Sequence, residues 1–248
     1  MKRYILALLL LFLLIPYSEA QLWKRKRYEI VIGIGPSQFF GDVGGYSQGE
    51  NWAGIKDLAF SGSSFSTNLG INYRLSRQFT TRLNMTYGSL RASDLRGSNI
   101  DRGYEAVTSI LEPALLGQYY FSRKRSERSF LLSRRKPGVF GGFFKSFDFY
   151  AFTGVGGLYY TVKPNYALES HVLETKGFTA VIPVGIGGTL VYTPNLSFGI
   201  ELGGRYAFTD NLDGFTSQYS NSNDVYYFLN FTIGFRLKSN ARGWPSFR

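Results

Sequence analysis

Residues 64–87 read SFSTNLGINYRLSRQFTTRLNMTY. In an extended chain alternate side chains point to opposite faces. Phe65, Thr67, Leu69, Ile71, Tyr73 and Leu75 therefore share one side, and Ser64, Ser66, Asn68, Gly70, Asn72 and Arg74 the other. After Ser76-Arg77-Gln78 the rhythm resumes, with Phe79, Thr81, Leu83, Met85 and Tyr87 opposite Thr80, Arg82, Asn84 and Thr86. Two alternating runs with so short a break between them read as a hairpin.

The same rhythm recurs outward from this hairpin. Tyr28, Ile30, Ile32 and Ile34 oppose Glu29, Val31, Gly33 and Gly35. Leu196, Phe198, Ile200, Leu202, Tyr206 and Phe208 oppose Ser197, Gly199, Glu201, Gly203 and Arg205. Val225, Tyr227, Leu229, Phe231, Ile233, Phe235 and Leu237 oppose Tyr226, Phe228, Asn230, Thr232, Gly234 and Arg236. Val107 to Phe121 and Ala180 to Tyr192 carry Pro113 and Pro183, each of which suits a bulge or a weakly paired position. Tyr150 to Val162 is apolar or glycine on both sides, and its preferred apolar face carries Tyr150, Phe152, Leu158 and Tyr160. A chain of 248 residues with 18 Tyr, 22 Phe, 29 Gly and only 18% charged residues favours such extended segments and excludes disorder.

Eight alternating segments could fold as a soluble sandwich. These segments are long for sandwich strands, and their polar faces carry small residues and scattered charges instead of a dense solvated surface. Tyr28, Tyr73, Tyr87, Tyr119, Tyr206 and Tyr227 cluster at segment ends, where a ring can lie in lipid while its hydroxyl reaches water. An open sheet edge in lipid would leave backbone amides unpaired at several kcal/mol each, so the sheet must close. The fold class expected is all-β: an eight-stranded antiparallel transmembrane β-barrel over residues 28–237, with short termini on the periplasmic side.

The N-terminus carries a different signal. Lys2 and Arg3 precede the apolar run Tyr4 to Ile15, and Ser18-Glu19-Ala20 supplies small residues for cleavage after Ala20. Residues 1–20 are expected to be a cleaved signal peptide, which outweighs a membrane-anchor reading because the run is too short. Mean hydropathy is −0.11, and no later stretch reaches about 18 apolar residues, which excludes a bundle of membrane helices. Export makes nucleic acid a poor partner despite a formal charge of +11. The absence of cysteine excludes disulfides, thiolate metal sites and a Cys nucleophile.

With both ends periplasmic, the connections alternate sides and charge separates with them. The periplasmic set is the basic segment 21–27, Ser76–Gln78, Ser122–Phe147, Thr193–Asn195 and the basic tail 238–248. It holds sixteen basic residues against Glu127 alone, a charge of +15. The outer connections, residues 36–62, 89–105, 163–177 and 209–224, sum to −5. Periplasmic turns in such barrels are usually short, yet Ser122 to Phe147 spans 26 residues. In it Arg123, Lys124, Arg125, Arg128, Arg134, Arg135 and Lys136 flank Phe130-Leu131-Leu132 and precede Val139-Phe140-Gly141-Gly142-Phe143-Phe144. Apolar side chains interleaved with arginine suit a docking surface for an acidic periplasmic protein; a mobile, charge-bearing loop is the plainer alternative.

Glu29, Arg74, Arg82, Glu112, Glu201, Arg205 and Arg236 fall on interior faces. An eight-stranded barrel is narrow enough to be filled by side chains, so these seven are expected to form a structural ion-pair network that plugs the lumen. Catalytic chemistry is weakly signalled. The single histidine, His171, lies in an outer loop near Glu169 and Glu174, where a solvated role is the simpler reading. Gly154-Val155-Gly156-Gly157 and Gly185-Ile186-Gly187-Gly188 precede no amphipathic helix and are not phosphate loops. Asp210, Asp213 and Asp224 suit turns better than a calcium cage. No catalytic residue, cofactor, metal or small-molecule substrate is expected.

One further set of landmarks runs in order along nearly the whole mature chain: Arg27-Tyr28-Glu29-Ile30, Phe40-Gly41-Asp42-Val43-Gly44-Gly45, Ile55-Lys56-Asp57-Leu58, Phe152-Thr153-Gly154-Val155-Gly156, Ile182-Pro183-Val184-Gly185-Ile186-Gly187, Glu201-Leu202-Gly203-Gly204-Arg205-Tyr206 and Thr209-Asp210-Asn211-Leu212-Asp213. In these the chain resembles the PorG-like outer-membrane barrels of Bacteroidetes. The resemblance implies a non-enzymatic outer-membrane subunit of the type IX secretion or gliding machinery, held in outer-membrane lipid and touching periplasmic ring subunits. The basic segment 122–147 is longer and more charged than that pattern, and the chain continues past Leu237. The alternative is a surface-acting barrel, an outer-rim enzyme or an adhesin, with its function in the outer loops.

Overall fold

The computed structural model describes residues 26–41, 43, 63–94, 100–121, 123, 147–172, 174–215, 223–239 and 245–246. The expected signal peptide, most of segment 122–147 and most of the C-terminal tail lie outside the described residues. Eight strands follow in order: β1 (Tyr28–Phe40), β2 (Ser64–Arg74), β3 (Phe79–Ser93), β4 (Glu105–Tyr120), β5 (Phe147–Pro164), β6 (Lys176–Val191), β7 (Leu196–Ala207) and β8 (Val225–Ser239). Each pairs antiparallel with the next, and β1 pairs β8 to close the wall. A one-turn helix, α1 (Tyr166–Glu169), sits between β5 and β6, and a two-residue strand, β9 (Pro245–Ser246), turns back onto the end of β8. Among the described residues no helix is long and apolar enough to cross a membrane.

The register fixes the barrel's dimensions. Starting at Tyr28 and stepping through cross-strand partners Tyr73, Thr81, Gly117, Thr153, Val184, Gly204 and Tyr227 returns to β1 at Gln38. The wall is therefore staggered by ten residues over eight strands, which corresponds to a strand tilt of about 40°.

Alternation decides which side meets lipid. Ile32, Ile34, Phe65, Leu69, Ile71, Leu83, Met85, Ile200, Leu202, Phe231 and Ile233 project outward and exposed, while Asn68, Asn72, Arg82, Asn84, Thr86, Glu201, Asn230 and Thr232 are buried inside. Aromatic pairs bound this apolar belt. Tyr28–Tyr73, Phe79–Tyr119 and Tyr192–Phe198 stand at the end that carries the short turns, and Tyr159–Phe178, Phe40–Tyr227 and Tyr206–Phe208 at the other.

Both short turns use one device. Ser76 Oγ accepts from the backbone N–H groups of Gln78 (3.3 Å) and Phe79 (3.0 Å), and Thr193 Oγ1 accepts in the same way from Asn195 (3.3 Å) and Leu196 (3.0 Å). A hydroxyl two or three residues upstream satisfies amides that a tight turn would otherwise orphan.

Three strand prolines, Pro36, Pro113 and Pro183, each interrupt the ladder on one side without shifting it. β4 loses its pairing with β5 at Glu112 and Pro113, β6 loses β5 at Ile182 and Pro183, and β1 loses β8 at Gly35 and Pro36, with the same register on either side of each gap. Proline has no N–H to give, so the position is weakly paired and no bulge forms.

In β5 one expectation is corrected. Tyr150, Phe152, Leu158 and Tyr160 do share a face, but it is the lumen face, where all four are buried; Phe149, Val155 and Tyr159 point outward. The reason lies in the outer half of the lumen, whose filling is apolar. Leu90, Ile110, Leu158, Tyr160, Val162 and Val181 on strands pack there with Leu168 of α1 and Leu212 of an outer connection. Several strands overhang the belt to support this cap, which is why β3 runs on to Ser93 with Leu90 and Ala92 turned inward.

Candidate functional site

The lumen of the barrel is an ordered polar network beneath an apolar cap. Nearest the short turns, Glu29 of β1 accepts from Ser197 Oγ at 2.8 Å and Arg236 Nε at 3.4 Å on Oε1, and from Asn72 Nδ2 at 3.0 Å on Oε2. Asn72 carries the network to the next layer, accepting from Arg82 Nε at 2.7 Å. Arg82 Nη1 then meets both oxygens of Glu201, at 2.7 and 2.9 Å, across the barrel from β3 to β7. Tyr150 donates its hydroxyl to the same carboxylate. Gln118 lies against the guanidinium, and with its amide turned so that the carbonyl faces the arginine it would accept from Nη2 (2.9 Å) and Nε (3.1 Å).

A third pair lies towards the cap. Arg205 Nε approaches Glu112 at 3.4 Å, Tyr226 donates to Glu112 at 2.7 Å, and the Arg205 guanidinium rests 4.6 Å from the centre of the Phe228 ring. Six of the seven interior residues expected from alternation thus meet as three pairs: Glu29–Arg236, Arg82–Glu201 and Glu112–Arg205. The seventh, Arg74, is buried on the same inner face at the end of β2. Charges in such a setting are retained when they are paired and hydrogen-bonded, and three pairs stacked under an apolar cap leave a filled lumen. Alternation could not show Asn72, Gln118, Ser197, Tyr150 and Tyr226 as partners, because which inward residues meet across the barrel depends on the stagger.

Arg123 departs from expectation. It is not presented outward as a docking residue: its side chain is only 6% exposed and folds into the mouth of the barrel. Nη1 donates to the Arg77 carbonyl (3.4 Å) and Thr80 Oγ1 (3.2 Å), Nε faces Asp148 at 3.8 Å, and the guanidinium stacks 3.6 Å from the centre of the Tyr120 ring. A position directly after β4 places it over the lumen, which compositional reading of the loop does not reveal. Lys124, Arg125, Arg128, Arg134, Arg135 and Lys136 lie outside the described residues.

At the outer mouth acidic groups hold loops. Asp213 accepts from the backbone N–H groups of Val43 (2.9 Å) and Phe215 (3.0 Å), and Asp224 from that of Leu212 (2.8 Å). Asp94 meets Arg102 through two contacts of 3.1 Å, and Arg102 lies over Tyr104 and Phe215. His171 is exposed, its Nδ1 3.0 Å from Ser170 Oγ and its ring against Tyr104. Among the described residues no cluster of His, Asp and Glu has the arrangement of a metal site.

Solved structures of small outer-membrane barrels resemble the chain. Neisserial surface protein A is 11% identical with a TM-score of 0.44, covering 84% of this chain and 96% of its own. The attachment invasion locus protein of Yersinia pestis, in complex with the heparin analogue sucrose octasulfate, is 12% identical with a TM-score of 0.43, covering 86% and 99%. A major outer membrane protein from Thermus thermophilus is 12% identical with a TM-score of 0.43, covering 84% and 99%. No curated protein matches the sequence. The family model described as Domain of unknown function (DUF6089) matches residues 2–241, and the chain belongs to that family.

Proposed function

We propose that the protein is a non-enzymatic outer-membrane barrel, exported by a signal peptide cleaved after Ala20, that anchors or positions a periplasmic complex of the type IX secretion or gliding machinery. The observation that carries this reading is the separation of charge across a filled barrel. The connections that strand order assigns to the end with the short turns sum to +15 and those assigned to the opposite end to −5, while the lumen between them is occupied by paired charges and an apolar cap. A filled lumen directs function to the ends, and the basic end suits an acidic protein surface. The resemblance to PorG-like barrels supports the type IX machinery, and its periplasmic ring subunits, as the complex that the basic end meets.

The test replaces Lys124, Arg125, Arg128, Arg134, Arg135 and Lys136 with Ser and recovers the barrel from membranes with its partners. Loss of a co-purifying periplasmic protein is expected; undiminished recovery would defeat the docking role. Deleting the outer loops separates this reading from a surface-acting enzyme or adhesin. Secretion survives that deletion if the periplasmic end is the working one and fails otherwise.

A further inference from the structure

We infer that the outer rim of the wall between β5 and β6 binds the phosphate of an outer-leaflet lipid through Lys163 and Lys176. Both residues are exposed and lie on the outward-facing rows of their strands, in line with Tyr159 and Phe178. Lys176 pairs with Thr161, two residues before Lys163, so the lysines are diagonal neighbours with Cα atoms roughly 7–8 Å apart, close enough for two long side chains to reach one phosphate.

Their height suits that ligand. Tyr159 and Phe178 are direct cross-strand partners, 56% and 61% exposed, with ring centres 4.6 Å apart. Such a pair marks the boundary between acyl chains and headgroups. Lys163 lies four residues beyond Tyr159 and Lys176 two beyond Phe178. At about 3.3 Å per residue and the wall's tilt, both ammonium groups come to nearly the same level, roughly 5–10 Å above the rings. Below the rings, exposed Val155, Ile182 and Val184 continue as an aliphatic surface for the same lipid's chains.

The charge at this spot is only partly balanced: exposed Glu174 continues the β6 row opposite Lys163, and among the described residues no ion pair joins it to either lysine. Val107 of β4 is in register with both Arg91 and Lys163, so a third cation stands on the same row, but Arg91 meets Glu105 at 3.5 Å. Neither the Lys163 nor the Lys176 ammonium group has a hydrogen-bond or ion-pair partner among the described residues. Two ammonium groups against the single carboxylate of Glu174, on a lipid-facing wall above an aromatic pair, leave a net positive spot that complements an anionic headgroup.

The inference rests on the orientation proposed above and not on the periplasmic partner. Full-length protein in neutral detergent is titrated with lipid A, a phosphorylated glycolipid, or with diacylglycerol, which offers acyl chains without phosphate, and retained lipid is counted by native mass spectrometry. Wild type is expected to retain lipid A in preference to diacylglycerol, and K163Q/K176Q to lose at least tenfold in apparent affinity. K238Q, at the opposite end of the wall, is expected to bind as wild type does, and gel mobility before and after heating confirms that each variant is folded. Unchanged retention by K163Q/K176Q overturns the inference, as does equal retention of the two lipids. A cysteine at Ser170, in a chain that otherwise has none, reports orientation: labelling by an impermeant maleimide on intact cells supports the outer-leaflet site, and protection from it overturns that site whatever the pull-down of periplasmic partners shows.

Discussion

Replacing Glu201 with Leu isolates the central lumen pair. Arg82 and Glu201 have side chains 4% and 6% exposed, and their contacts of 2.7 and 2.9 Å put the charge centres about 4 Å apart, where an effective dielectric near 20 gives about 4 kcal/mol. Removing one member of a buried pair costs about 3–5 kcal/mol, chiefly through the charge left behind. Arg82 keeps Asn72 at 2.7 Å, so the lower half of that range, about 3–4 kcal/mol, is expected for E201L. Loss of the acceptor for Tyr150 adds about 1 kcal/mol. In R82M/E201L no charge is orphaned, and the double variant should recover most of the loss or exceed wild type, since apolar replacement of a buried pair is often neutral or stabilising. Urea titrations in lipid vesicles, followed by the gel mobility of folded and unfolded barrel, give the four corners of a double-mutant cycle. A cost below about 1 kcal/mol for E201L, or a double variant no more stable than the single one, refutes the coupled lumen network.

Wild-type protein in planar bilayers should pass no steady current, because three ion pairs and the apolar cap fill the lumen; large sustained conductance would contradict that filling. Gly35→Ala should cost about 1–3 kcal/mol by overpacking, since an added Cβ would lie 1.8 Å from the Leu229 carbonyl oxygen of β8, whereas at Gly117 the nearest atom is 3.8 Å away and Ala should be neutral. Midpoints in urea for the two variants compare them directly. Asp213→Ala removes the acceptor for the Val43 and Phe215 amides, at about 1–3 kcal/mol of local order. Limited proteolysis should then nick the outer loops while the heat-dependent gel shift of the barrel persists, and simultaneous loss of both would show that the loops and wall unfold as one.

Most of the wall was legible in the sequence because a period of two has a direct physical reading. Once Phe65, Leu69 and Ile71 are known to face lipid, alternation and register turn Arg74, Arg82, Glu201 and Arg236 inward, and their side chains are there. Where both faces are apolar the period carries no sign. Tyr150 and Phe152 point inward because the tilt sets β5 against Glu201 and Gly185, which local composition does not encode. Strand ends were less legible for a related reason. Leu90 continues β3 beyond the aromatic belt, where Leu168 and Leu212 from the outer connections pack with it. The pairing of Glu29 with Arg236, or Glu112 with Arg205, likewise needs the ten-residue stagger, a property of the closed wall and of no single segment.

Arg123 joins the two halves of this molecule. It is the last described residue before segment 124–146, and it is fixed by Tyr120 of β4, Arg77 and Thr80 at the β2–β3 turn, and Asp148 of β5. The residue before segment 124–146 is therefore clamped, between strands whose own positions are set by the lumen network. If the basic segment docks a partner, a fixed base lowers the ordering cost of binding. Arg123→Ala should then weaken partner recovery although Lys124, Arg125, Arg128, Arg134, Arg135 and Lys136 keep their charges. Arg123→Lys should rescue it only in part, because an ammonium on a flexible stem cannot reproduce a planar guanidinium that stacks and donates at once. Full recovery with Arg123→Ala would mean that the segment works as a tethered polycation, indifferent to how the barrel holds its root.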